Sequence, residues 1–192
     1  MPNWCYTEYT FKGDKKEIEA LSEKLEELKG DGKYKETSGF GSLWLGNVLT
    51  IHGFDWNDYP CRGSIGQIYE EDDNSINFST ETAWGPMHEM WHVILDKYYP
   101  SIEVEYISEE PGMCIYETNR TDVEHPLAID ISTPNTQCFE TFCPLKDVLV
   151  LIQEIFNKSL NSLKELYDLM ENISSEDGPV WINIFEYEHV PF

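Results

Sequence analysis

An α+β sandwich, an antiparallel sheet covered on one face by helices, is the fold class that this sequence predicts. Three observations predict it. Strand-like and helix-like segments interleave along the chain, yet most neighbouring strands are joined by short polar turns, as hairpins require. Residues Ser101–Ile107 alternate strictly, with Ile102, Val104 and Tyr106 on one side and Glu103 and Glu105 on the other, the pattern of a half-exposed antiparallel strand. The 192 residues are 41% hydrophobic and 14% aromatic, enough to build a core in spite of a high charge. We therefore expect a single domain over residues 1–192, with a Gly/aromatic-rich insertion at about 30–66.

The elements follow in order. Residues 4–12 are rich in β-formers (Trp4, Tyr6, Thr7, Tyr9, Thr10, Phe11) and predict a strand. Gly13-Asp14 ends it and caps a helix in which Ile18, Leu21, Leu25 and Leu28 recur at helical spacing, closing at Gly30. The segment 30–66 mixes glycines with Trp44, Phe54, Trp56 and Tyr59 and predicts irregular chain with one short strand near Leu43–Ile51. Ordering so glycine-rich a segment costs roughly 1–2 kcal/mol per residue. Large anchors must offset that, so Trp44 and Trp56 are expected inside and Phe54 and Tyr59 further out. Residues 66–71 and 75–81 predict a hairpin across Glu71-Asp72-Asp73-Asn74. Pro86 stands where a helix takes its first residue, and that helix should reach Tyr98. After the alternating strand, Pro111-Gly112 predicts a turn and Met113–Thr118 a return strand, followed by strands at Leu127–Ser132 and Gln137–Phe142. From Pro144 the apolar face of Leu145, Val148, Leu149, Ile152, Ile155, Phe156, Leu160, Leu163, Leu166 and Met170 predicts one long helix. Gly178-Pro179 ends it, and Val180–His189 predicts a last strand with Glu186 and Glu188 on a shared face.

Charge is the strongest compositional signal. Thirteen basic residues stand against 36 acidic ones, for a formal net charge of −23. The excess peaks in residues 61–140, where 3 basic residues meet 16 acidic ones. A field of this sign repels phosphates and anionic lipid, so no direct nucleic-acid binding and no membrane association are expected; it favours basic protein surfaces. The first residues lack the basic and apolar regions of a signal peptide, and no apolar run has the length of a membrane span, which points to a cytoplasmic protein. The five cysteines (Cys5, Cys61, Cys114, Cys138, Cys143) are then expected reduced and mostly buried. Cys138-x4-Cys143 lacks the paired spacing of a zinc site.

Two motifs, taken in order, point to a family. Met1-Pro2-Asn3-Trp4-Cys5 runs into an alternating strand and Gly13. Thr82-Ala83-Trp84-Gly85-Pro86 precedes a short helix with Trp91, then Tyr99-Pro100 and an alternating strand to Glu109. Over residues 1–13 and 78–112 the chain resembles the YubB-type, or Api-like, proteins of phages, plasmids and integrated elements. The resemblance implies a ferredoxin-like sandwich and a mobile-element origin, and carries no activity. Thr7 stands where that family usually has Asn, and Met87 where it often has a second Pro.

Candidate chemistry is sparse. His88-Glu89-Met90-Trp91-His92 places two imidazoles on one helix face, where both can ligate zinc while Glu89 serves as base. A zinc-dependent hydrolase using His88, His92 and Glu89 is thus one alternative, and a purely structural protein another. No serine elbow, no cysteine with a partner and no phosphate loop occurs, so the expectation is a non-enzymatic protein without cofactor. Its candidate partner-binding surface is an array of strand carboxylates: Glu70, Glu71, Asp72, Asp73, Glu103, Glu105, Glu109, Glu110, Glu117, Glu186 and Glu188. Such an array can mimic duplex phosphates and occupy a basic groove on a host nucleic-acid-binding or defence protein. Nothing in the sequence specifies an oligomeric state.

Overall fold

A computed structural model describes residues 2–29, 39–173 and 180–192, with the side chains of Glu70 and Glu71 excepted. The expectations that fall on Gly30, Gly32, Gly178 and Pro179 lie outside the described residues. Mixed α+β architecture is present as expected, with five α-helices, a six-stranded sheet and a three-stranded sheet among the described residues. The chain divides into two compact units: residues 1–119 together with 190–192, and residues 120–189. Each has its own apolar core, because the strand that starts the second unit pairs only within its own small sheet.

The first unit is built on β1 (Trp4–Lys12), whose residues alternate between a covered and an open side. On the covered side Cys5, Thr7, Tyr9 and Phe11 are buried. Strand β1 pairs antiparallel with β3 (Ser75–Ala83) and with β4 (Glu103–Glu110). The hairpin partner of β3 is β2 (Gly63–Asp72), and β5 (Ile115–Thr118) pairs with β4. The sheet order is β2-β3-β1-β4-β5, with the two-residue β9 (Glu188–His189) last. The turn between β2 and β3 is only Asp73-Asn74, held by the Asp72 carboxylate, which accepts from the Asn74 N–H at 2.7 Å and the Ser75 hydroxyl at 3.1 Å.

Helix α1 (Lys15–Lys29) forms as its spacing predicts, with Ile18, Leu21, Leu25 and Leu28 inward and the Asp14 carboxylate accepting from the Lys16 N–H. The short strand expected near Leu43–Ile51 is instead helix α2 (Leu45–Ile51). Leu45, Val48 and Leu49, spaced as one helix face, are completely buried, and burial of that face outweighs the β-propensity of Val48. Gly46 is required here: a Cβ would sit 2.4 Å from the Trp44 ring, which folds over it. Of the expected anchors, Trp44 is buried, but Trp56 is 42% exposed and leans edge-on against Trp44. Phe54 and Tyr59 are half-buried against the core.

Helix α3 (His88–Tyr98) begins two residues after Pro86. It buries Met90, Trp91, Ile94 and Leu95 against the sheet. Trp91 is the hub, with ring centroids 5.0 Å from Phe78 and 5.4 Å from Phe11. Residues 190–192 complete this unit: the Val190 N–H donates to the Thr118 carbonyl, the Tyr106 hydroxyl to the Val190 carbonyl, and Phe192 packs on the core.

In the second unit β6 (Pro126–Ser132) lies between β7 (Gln137–Pro144) and β8 (Trp181–Glu186), all antiparallel. Its core joins Leu127, Ile129 and Ile131 to Val148, Ile152, Leu166 and Leu169. The single long helix expected after Pro144 is two, α4 (Leu145–Phe156) and α5 (Leu163–Asn172). Asn157 adopts a left-handed conformation (φ 52°), which stops α4. Ser162 then caps α5 by accepting from the Glu165 N–H at 3.2 Å, while Glu165 reaches back to the Asn161 N–H at 2.8 Å. Ser162→Ala should therefore cost the second unit about 1 kcal/mol, read as a lower midpoint in urea denaturation.

All five cysteines are free thiols, but only Cys5 and Cys61 are buried; Cys114 is exposed and Cys138 and Cys143 are half-buried. Among the described residues no helix is long and apolar enough to cross a membrane.

Candidate functional site

The open side of the first sheet follows from the alternation of β1. With Cys5, Thr7, Tyr9 and Phe11 turned to the helices, Trp4, Tyr6, Glu8, Thr10 and Lys12 are left on the other face. Strand register sets their neighbours, because directly paired residues share a face. Tyr6 lies between Glu81 of β3 and Glu109 of β4. Glu8 lies between Ser79 and Ile107, Thr10 between Asn77 and Glu105, and Lys12 between Ser75 and Glu103. These rows hold five carboxylates, and their one cation, Lys12, is paired to Glu105 at 2.9 Å. That pair is about half exposed on both sides, so it stabilises the fold little.

Aromatic rings stand among the carboxylates. Trp4 (44% exposed), Tyr6 (42%) and Tyr69 (50%), which pairs with Asn77, offer apolar surface to solvent. The Tyr6 hydroxyl donates to Glu8 Oε1 at 3.1 Å. Partial burial and the neighbouring Glu8 carboxylate raise the Tyr6 phenol above its ordinary range, with a Ser79 hydrogen bond opposing them, so it stays neutral.

The expected carboxylate array is only partly assembled here. Glu103, Glu105 and Glu109 lie on the open face. Glu110 does not. It is buried at 3% exposure, and its carboxylate accepts from the Gly112 and Met113 N–H groups, capping the turn at Pro111–Met113. The turn N–H groups claim this carboxylate, and the strand alternation points it inward. Glu117 pairs with Ser108 and so belongs to the covered side. Asp72 is committed to its own hairpin turn, and Asp73 pairs with Lys15 at 2.6 Å. Glu186 and Glu188 do not share a face: they stand on strands of different sheets, separated by the buried Tyr187, and Glu186 accepts from the Tyr167 hydroxyl at 2.7 Å. The side chains of Glu70 and Glu71 lie outside the described residues. Glu8 and Glu81 were missed in the sequence, although β1 carried the signal: its buried Tyr9 and Phe11 alternate with Glu8.

The histidines of the His88-Glu89-x-x-His92 pattern pack among aromatic rings. His88 turns toward the core, with Nδ1 at 3.1 Å from the Tyr9 hydroxyl and its ring 4.3 Å from Tyr106 and 5.2 Å from Phe192. Its Nε2 is buried without a hydrogen-bond partner among the described residues. Burial, and next His92, lower its pKa to about 4, so the ring is neutral near pH 7. His92 lies against Phe192 at 4.2 Å. Glu89 is exposed. Among the described residues no group of three His, Cys, Asp or Glu side chains is placed to hold a metal ion.

A surface depression of about 680 Å³ in the second unit is lined by Asp122, Glu124, His125, Lys146, Leu149 and Asn161. Its charges are of both signs and it converges on no single ligand chemistry.

Comparison with known proteins finds no matching family model, no matching curated protein and no matching solved structure.

Proposed function

We propose that this chain is a non-enzymatic acidic binding module that occupies a basic surface of another protein, in the manner of a nucleic-acid mimic. One observation carries the reading: the open face of the first sheet sets Glu8, Glu81, Glu103, Glu105 and Glu109 in adjacent rows, where Lys12 is paired to Glu105. Adjacent strands are about 4.8 Å apart and same-face residues along a strand about 6.8 Å apart. Same-face carboxylates along a strand thus recur at about twice the 3.4 Å of helix axis that each phosphate of one DNA strand occupies. Against a basic groove this face gains fast, salt-sensitive association. The net charge of −23 extends the same field over the molecule.

The ferredoxin-like reading of the fold belongs to this proposal. Its support is the sheet order β2-β3-β1-β4 with every pair antiparallel and with helices following β1 and β3. The resemblance to the YubB-type proteins at both ends of that arrangement supports a phage or mobile-element origin, with a cytoplasmic nucleic-acid-binding or defence protein of the host as partner.

The test is capture from host lysate on immobilised protein, with duplex DNA as competitor. Basic nucleic-acid-binding proteins should be retained at low salt, released by high salt and displaced by the DNA. They should be lost when Glu8, Glu81, Glu103 and Glu105 are all changed to Lys. Retention that survives this reversal, or that DNA leaves untouched, sinks the reading.

A further inference from the structure

No further inference is drawn: the strongest candidate, the outward face of the three-stranded sheet, where exposed Phe139 and Trp181 flank the central strand at Asp130 and Ser132, is an unpartnered face, and nothing in the structure shows what covers it.

Discussion

Replacing Trp91 with alanine is expected to cost about 3–5 kcal/mol, the largest effect of any single substitution considered for this protein. The indole is fully buried and packs on Phe78, Phe11 and Tyr9, with centroids at 5.0, 5.4 and 6.1 Å. It joins helix α3 to strands β1 and β3, so its removal opens a cavity where those elements meet and relaxation cannot refill it. The cost is one of packing. The indole N–H has no hydrogen-bond partner among the described residues, so no bond is forfeited with it. Set against total stabilities of roughly 5–15 kcal/mol, such a loss leaves a marginal fold. Urea denaturation followed by circular dichroism reads it as a large fall in midpoint. A Trp91→Ala loss below about 1 kcal/mol would show that the aromatic cluster is not the hub of this core.

The second large effect is on pH dependence. His88 has its pKa lowered from 6.5 to about 4 by burial, with His92 adding to the effect. The unfolded chain therefore binds a proton at this position in a window where the folded chain does not. Stability is full above about pH 6.5 and falls as pH drops toward about 4, by up to about 3 kcal/mol for this one group. His52 is buried and hydrogen-bonded to the Val48 carbonyl and the Tyr99 hydroxyl; its pKa is also lowered, by burial first, so it acts with the same sign. His88→Gln cannot take up the proton and should flatten the fall. Subtracting its urea-derived stability from that of the wild-type chain across pH 4–7 isolates the His88 contribution from that of the carboxylates. A difference that is constant over this range would refute the buried-neutral assignment.

Alternation and spacing made most of the first unit legible in the sequence. Strand β1, helix α1, the β2–β3 hairpin and the strand after Pro100 all form close to where periodicity places them. Local competition decided the misses. Leu45, Val48 and Leu49 are β-formers in part, and only the core they enter shows that the helical spacing wins. In the long apolar face after Pro144, continuity of the hydrophobic pattern hid a break that Asn157 and the Ser162–Glu165 cap mark plainly. The carboxylate face was legible one strand at a time. Which strands lie side by side is a tertiary fact, and it brought Glu8 and Glu81 in while taking Glu110, Glu186 and Glu188 out. Helix spacing shows in the same way that His88 and His92 share a side, but not that Tyr9 and Phe192 pack there.

Strand β1 comes early in the chain and sits inside its sheet between β3 and β4, and this has a kinetic consequence. All of its partners are remote: the hydroxyl contact between Thr7 and Ser108 spans 101 positions. The β2–β3 hairpin, with its two-residue turn, can close within microseconds of being made, whereas β1 must wait for both β3 and β4 before both of its edges are matched. Until then Tyr9 and Phe11 are unprotected on a nascent chain, together with the strand's unpaired amides. Insertion of β1 between two elements already in place would thus be the slow step, and the interval before it is when this protein is most exposed to aggregation.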